Sequence, residues 1–253
     1  MTVKAPTLLS LINVTRTFGG VQALTDLSID IPKGQVTGII GPNGAGKTTT
    51  FNIITGAYSP TAGEIYLDGD RLTGLKPHQI ARAGIARTFQ NIRLFASMTV
   101  WEHLLVAQRS DGIDLGRFLP MAGRKTKAAL AAERALEVFG LGPYRDRPAC
   151  SLAYGLQRKV EMARALTSNP SLLLLDEPVA GMNHEEAEEL RLLLLRLCAE
   201  GLSILLIEHD MPFVMNLCQH LYVLDFGRLI AQGTPLEVRA DPLVLEAYLG
   251  SEA

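Results

Sequence analysis

Gly41-Pro42-Asn43-Gly44-Ala45-Gly46-Lys47-Thr48-Thr49 is the stretch from which the rest of the chain can be read. It fits G-x-x-x-x-G-K-[ST], the phosphate-loop (Walker A) pattern. Its flanks suit it: Val36-Thr37-Gly38-Ile39-Ile40 is apolar enough for a buried strand, and Thr49–Thr55 reads as a helix stopping at Gly56. Strand, glycine loop and helix are the context in which the pattern works. Glycines let backbone N–H groups turn inward around a polyphosphate, and the helix N-terminus adds unpaired donors and the positive end of its dipole. Lys47 supplies a cation for the outer phosphates and Thr48 a hydroxyl for Mg²⁺.

Working outward, 253 residues suffice for one large domain or a domain with an insertion. A net charge of −2 gives no global basic field for nucleic acid. The longest apolar runs, such as Leu202–Ile207, are far below the ~20 residues that span a bilayer. Met1–Ser10 has one lysine and no long apolar core with a cleavage site, so no signal peptide is expected there. Cys150, Cys198 and Cys218 are odd in number and unpaired in spacing, which suits a reducing cytosol and neither a disulfide framework nor a zinc site.

In chain order, Leu8–Val14 and Leu27–Ile31 alternate as half-buried strands around a Gly19-Gly20 turn. Glu64–Leu67 and Asp70–Leu72 flank Asp68-Gly69, a hairpin signal. Pro77–Ala83 reads as a helix and Ile85–Phe89 as a strand. From about Asn91 the pattern turns helical. Thr99-x-x-Glu102 is a capping box opening a helix through Gln108, Ser110–Gly123 is a connector, and helices are expected at Thr126–Phe139 and Leu156–Leu166. Strands resume with Leu172–Leu175, four leucines suited to cover on both faces. A helix His184–Glu200, strands Ser203–Ile207, Leu221–Leu224 and Leu229–Ala231, and short helices near Pro235–Arg239 and Leu243–Leu249 complete the expectation. The fold class is therefore α/β: a P-loop NTPase core with an N-terminal antiparallel β subdomain and a helical insertion.

Asp176-Glu177 directly follows the leucine strand, the Walker B position. Phosphoryl transfer needs one carboxylate to hold Mg²⁺ and another to orient or deprotonate the attacking water. Asp176 suits the first role and Glu177 the second.

With this order of motifs on the page, the chain resembles the nucleotide-binding subunits of ABC transporters from end to end. It looks most like the ATP-binding proteins of branched-chain amino acid importers. The residues behind the resemblance are the Gly41 loop, Ala86-Arg87-Thr88-Phe89-Gln90, Leu152-Ala153-Tyr154-Gly155, Glu177-Pro178-Val179-Ala180-Gly181-Met182-Asn183, Ile207-Glu208-His209-Asp210-Met211 and the ending Glu246-Ala247-Tyr248-Leu249-Gly250. It implies one ABC ATPase domain, with a core of residues 1–92 and 168–253 and a helical subdomain of residues 93–167.

The resemblance also implies roles. Phe18 stacks on adenine, and Gln90 is the Q-loop amide that reaches Mg²⁺ or the attacking water. His209 is the switch histidine on the γ-phosphate, and Leu152-Ala153-Tyr154-Gly155 is the signature loop that meets the nucleotide of the opposite protomer. The nucleotide contacts are thus Phe18, Gly41 through Thr49 and Leu152 through Gly155. The catalytic set is Glu177, His209 and Gln90, and the metal set Thr48, Gln90 and Asp176, with ATP and Mg²⁺ as cofactors. Implied partners are a second ATP-binding subunit, transmembrane permease subunits and, indirectly, a substrate-binding protein, at the cytoplasmic face of the membrane. No nucleic acid is implied.

The signature loop departs from Leu-Ser-Gly-Gly-Gln: Ala153 lacks the serine hydroxyl, Tyr154 replaces a glycine and Leu156 the glutamine. Asn183 stands where most relatives have an Asp, and Asn183-x-x-Glu186 is equally a helix-start pattern. Arg87, Arg93, Lys159 and Arg164 are expected to be solvated surface residues. Urea or short-amide import and lipopolysaccharide export stay open as rival cargoes. A soluble ABC protein acting on ribosomes or DNA is a rival class, disfavoured by a single cassette without heptads or a basic tract. A metabolic P-loop kinase would lack the Leu152 loop and His209.

Overall fold

A computed structural model describes residues 6–107 and 127–249. Strands β1 (Thr7–Phe18) and β2 (Val21–Pro32) lead into β3 (Val36–Ile40), α1 (Lys47–Ile54), the hairpin β4 (Ala62–Leu67) and β5 (Asp70–Arg71), α2 (Pro77–Ala83) and β6 (Ile85–Arg87). Helices α3 (Val100–Val106), α4 (Lys127–Val138) and α5 (Tyr154–Leu166) follow. The chain then runs through β7 (Leu172–Asp176), α6 (His184–Ala199), β8 (Ser203–Ile207), α7 (Met211–Leu217), β9 (His220–Asp225), β10 (Arg228–Gly233), α8 (Pro235–Ala240) and α9 (Pro242–Leu249). Residues 88–170 form one compact unit, and the segments before and after them form the other. The expected helix end at Gln108, the connector Ser110–Gly123, the helix start at Thr126 and the ending Gly250 lie outside the described residues.

The larger unit holds two sheets. One is antiparallel, in the order β2-β1-β4-β5. The other runs β10-β9-β3-β8-β7-β6, with β9, β3, β8, β7 and β6 parallel and β10 antiparallel at the edge. Every residue of β3, β7 and β8 is buried, as a parallel sheet covered on both faces requires. Leu9, Leu27, Phe51, Ile54, Leu174, Leu205, Ile207 and Leu224 belong to a single apolar cluster joining both sheets to α1. Burying each such side chain contributes about 1.5–3 kcal/mol.

The structure corrects several boundaries. Strand β1 runs four residues past Val14, because a register shift between Leu11 and Val14, with Asn13 at φ 47°, hides the two-residue period. Strand β6 stops at Arg87, two residues short of Phe89. Helix α1 starts at Lys47 and α5 at Tyr154, each two residues before its expected start, behind Gly46 and Ala153, neither of which carries a capping side chain. Helix α7 was not anticipated, although its signals are present: Asp210 Oδ1 accepts the Phe213 N–H at 2.9 Å, and proline opens the first turn. The capping boxes at Thr99–Glu102 and Asn183–Glu186 form as expected.

Leu174→Ala on the fully buried β7 is expected to cost about 2–5 kcal/mol in denaturant unfolding. Leu192→Ala, at an exposed position on α6, is expected to stay within about 0.5 kcal/mol.

Candidate active site

Parallel pairing of β3 with β8 and of β8 with β7 puts the carboxyl ends of three strands at one edge. Ile39 pairs with Ile207, which also pairs with Asp176. The residues leaving these strands are therefore neighbours: the Gly41 loop, Asp176-Glu177 and Glu208-His209. Ligand sites in open α/β sheets form at such an edge.

The glycine loop is shaped by contacts as well as by flexibility. Gly41 sits at φ 146°, and a Cβ there would lie 2.0 Å from the Leu224 carbonyl oxygen. No other residue fits. The Ala45 carbonyl accepts the Gly227 N–H at 3.1 Å, and the Gly227 carbonyl accepts the Thr25 N–H at 2.8 Å, so the loop is fixed from behind by β2. No side chain caps the N-terminus of α1, which leaves its first-turn donors for an anion. Lys47 Nζ donates to the carbonyls of Gly41 at 2.6 Å and Pro42 at 2.8 Å. Burial lowers its pKa from the ordinary lysine value, against an upward pull from the Glu177 and Asp176 charges. Thr48 is exposed and Thr49 half-buried on the same turn. The Tyr248 hydroxyl of α9 meets the Gly41 backbone, and burial raises its pKa.

Asp176 ends β7 and is buried. Glu177 follows in the left-handed region, φ 49°, with its N–H donating to the Ile207 carbonyl at 2.9 Å. A non-glycine residue held there stores backbone strain, a common mark of functional positions. His209 Nδ1 lies 3.8 Å from Glu177 Oε1 and 3.4 Å from Glu208 Oε1, with a side chain 72% exposed. Glu208, part of the motif behind the resemblance but given no role by it, is buried and accepts the backbone N–H groups of His209 at 3.0 Å and Asp210 at 3.3 Å. Burial raises its pKa while those bonds and His209 oppose the shift. Its position directly after the apolar run Ile204–Ile207 and before His209 is the signal in the sequence.

Phe18 ends β1, packed edge-on against Tyr58 at 5.1 Å, and the residue is 37% exposed. The Arg16 guanidinium lies 4.3 Å from the Phe18 ring centre, a cation–π contact. Arg87 is not the solvated residue expected: its side chain is largely covered and paired with Asp176.

Gln90 and Leu152–Gly155 belong to the unit of residues 88–170. Gln90 is exposed, and its carbonyl accepts from Arg158 Nη2 at 2.7 Å. Leu152 and Gly155 are buried, Ala153 is the residue before the helix, and Tyr154 opens α5 with an exposed ring. Arg158 and Glu161 form a fully buried ion pair at 3.0 Å, and Arg158 Nη1 also donates to the Phe89 carbonyl at 2.6 Å. Arg164, expected in solvent, donates to the Arg93 carbonyl at 2.6 Å and is largely covered; Arg93 is exposed and lies over the Phe89 ring at 4.5 Å. His103 is buried: Nε2 accepts the Phe95 N–H at 2.9 Å and Nδ1 donates to the Thr99 carbonyl at 2.8 Å, a neutral tautomer that burial favours.

A glycine loop on a central parallel strand, an acidic pair at the end of the strand two places away in the same sheet and a helical insertion define a P-loop nucleotide-hydrolysing cassette. Residues 24–180 match the family model described as ABC transporter, and residues 228–253 the one described as branched-chain amino acid ATP-binding cassette transporter. The chain belongs to the ABC transporter family, as one of its ATP-binding, ATP-hydrolysing proteins. It is 44% identical to the high-affinity branched-chain amino acid transport ATP-binding protein BraF of Pseudomonas aeruginosa, over 96% of this chain and 98% of the relative. It is 46% identical to LivG of Salmonella typhimurium, the protein of the same description, over 92% and 94%. Among solved structures, it is similar to an ABC transporter cassette in its ADP conformation, with TM-score 0.86, 35% identity and coverage of 97% of this chain and 100% of that one. A dimeric bacterial ABC transporter cassette matches with TM-score 0.75 and 26% identity, over 90% and 99%.

Glu161→Gln leaves Arg158 buried beside a neutral partner and is expected to cost about 3–5 kcal/mol in urea unfolding. The double replacement Arg158→Met with Glu161→Leu is expected to recover much of that loss.

Proposed function

We propose that the chain is the ATP-hydrolysing subunit that energises an importer of branched-chain amino acids, working from the cytoplasmic face of the membrane. The observation that carries the reading is identity of 44–46% to BraF and LivG along nearly the whole chain, supported by the Gly41 loop, Asp176-Glu177 and Glu208-His209 leaving β3, β7 and β8 at one edge. Among the described residues no helix is long and apolar enough to cross a membrane, so the transmembrane path is left to permease subunits.

The geometry supports the roles that the motifs and the resemblance imply. Backbone N–H groups of the Gly41 loop and the uncapped start of α1 bind the β- and γ-phosphates. Lys47 leaves its two loop carbonyls to neutralise them. Phe18, backed by Tyr58 and Arg16, offers an aromatic face to adenine. Glu177 accepts the proton of the attacking water, held in place by its strained backbone and the bond to Ile207. His209, next to Glu177 and anchored through Glu208, donates a hydrogen bond to the γ-phosphate.

The donors at the strand edge fit Mg²⁺: Asp176, which ends β7, offers a carboxylate and Thr48, on the first turn of α1, a hydroxyl, both hard oxygen ligands of the kind this ion takes beside phosphates. When bound, the ion neutralises charge developing on the transferred phosphoryl group. The Leu152–Gly155 loop and the uncapped start of α5 complete the site of a second ATP-binding subunit, so hydrolysis belongs to a dimer. Closing and reopening that dimer drives the permease between its two states.

Glu177→Gln is expected to give a stable dimer in saturating ATP by light scattering, and a monomer without it. A monomer at saturating ATP, with or without permease, sinks the dimer mechanism. In the source cell, deletion should abolish uptake of labelled leucine, isoleucine and valine at low concentration. The wild-type chain should restore it and Lys47→Ala should not.

A further inference from the structure

Arg87 closes β6 with its guanidinium buried, the side chain 8% exposed beside an Asp176 side chain that is 6% exposed. Nη2 donates to Asp176 Oδ2 at 2.8 Å, and Nη1 to Asn52 Oδ1 at 2.7 Å. The Phe51 ring lies 5.4 Å from the guanidinium carbon. One side chain thus joins β6, β7 and α1, the helix that begins at Lys47. The planar fork of arginine satisfies the carboxylate and the amide together; a lysine keeps the charge and loses the fork.

Asp176 is the carboxylate assigned above to the divalent cation, and it already has a cation on one oxygen. We infer that Arg87 is a resident counter-ion of Asp176, a positioning residue whose charge competes with the divalent ion for that carboxylate. The inference rests on the nucleotide-site reading. Before metal arrives, Arg87 spares the fold a buried carboxylate lacking this positive charge. Once metal arrives, two cations share one carboxylate in a poorly screened place and repel each other. Arg87 therefore holds the aspartate in its working orientation and weakens metal binding, so that the ion can leave with product.

The test is Mn²⁺ titrated into ADP-saturated protein, with free Mn²⁺ read by electron paramagnetic resonance. Removing a unit charge a few ångströms away is expected to tighten Mn²⁺ binding by at least about tenfold in Arg87→Met. Arg87→Lys, which keeps the charge, is expected to stay near wild type. In melting curves, Mg²⁺ with ADP should raise the midpoint of Arg87→Met more than that of wild type. Equal or weaker Mn²⁺ binding in Arg87→Met overturns the inference alone. No Mn²⁺ uptake by wild type with ADP overturns the nucleotide-site reading along with it. If Arg87→Met does not fold, ¹⁵N-arginine spectra of wild type decide the matter. The Arg87 signal, assigned by its loss in Arg87→Lys, must shift when Mg²⁺ joins ADP; a signal that stays put is equally fatal.

Discussion

Parallel pairing among β3, β8 and β7 is the constraint on which the rest depends. Because these strands run the same way and are in register through Ile39, Ile207 and Asp176, each must discharge its next residues at the same edge. A lysine-bearing loop, two consecutive acids and a glutamate–histidine pair, far apart in sequence, then share one small volume. Burial of every residue in the three strands holds that register, since a slip would take leucine and isoleucine side chains out of their packing.

Charge is balanced at this edge before any nucleotide arrives. Lys47 is folded onto the loop's own carbonyls, Asp176 is held by Arg87, and Glu208 is wrapped by backbone N–H groups. His209 is the most exposed member of the set and Glu177 is half-buried, as befits groups that must meet water and a phosphate. Groups already oriented and partly desolvated need little rearrangement when charge develops, which is where enzymes gain most of their electrostatic advantage. The cost is a set of buried ions, each tolerable only because a specific partner lies within hydrogen-bonding distance.

The unit of residues 88–170 uses the same device for another purpose. Arg158, on the helix that starts at Tyr154, grips the carbonyls of Phe89 and Gln90 while Glu161 neutralises it. Arg164 does likewise for Arg93. The exposed Gln90 loop and the start of α5 are thereby tied together within one compact unit. The missing serine hydroxyl at Ala153 leaves this framework intact, because the loop is held by the buried Leu152, by the Tyr154 hydroxyl accepting from Arg158 Nη2 at 3.3 Å and by Gln157 Nε2 donating to the Leu152 carbonyl at 2.8 Å.

The phosphate loop, the acidic pair, the hairpin at Asp68-Gly69 and most helices and strands were legible from sequence alone. Glycine patterns, capping boxes and runs such as Leu172–Leu175 act over a few residues, within reach of a linear reading. Family resemblance carried Phe18, Gln90, His209 and the Leu152–Gly155 loop, whose neighbours say little by themselves. Tertiary structure alone decided the fates of Arg87, Arg158, Arg164, Glu208 and His103. A charged residue in sequence looks the same whether it faces water or a buried partner 89 positions away, as Arg87 does with Asp176. Burial and pairing across distant segments are properties of the packed chain, and no local pattern encodes them.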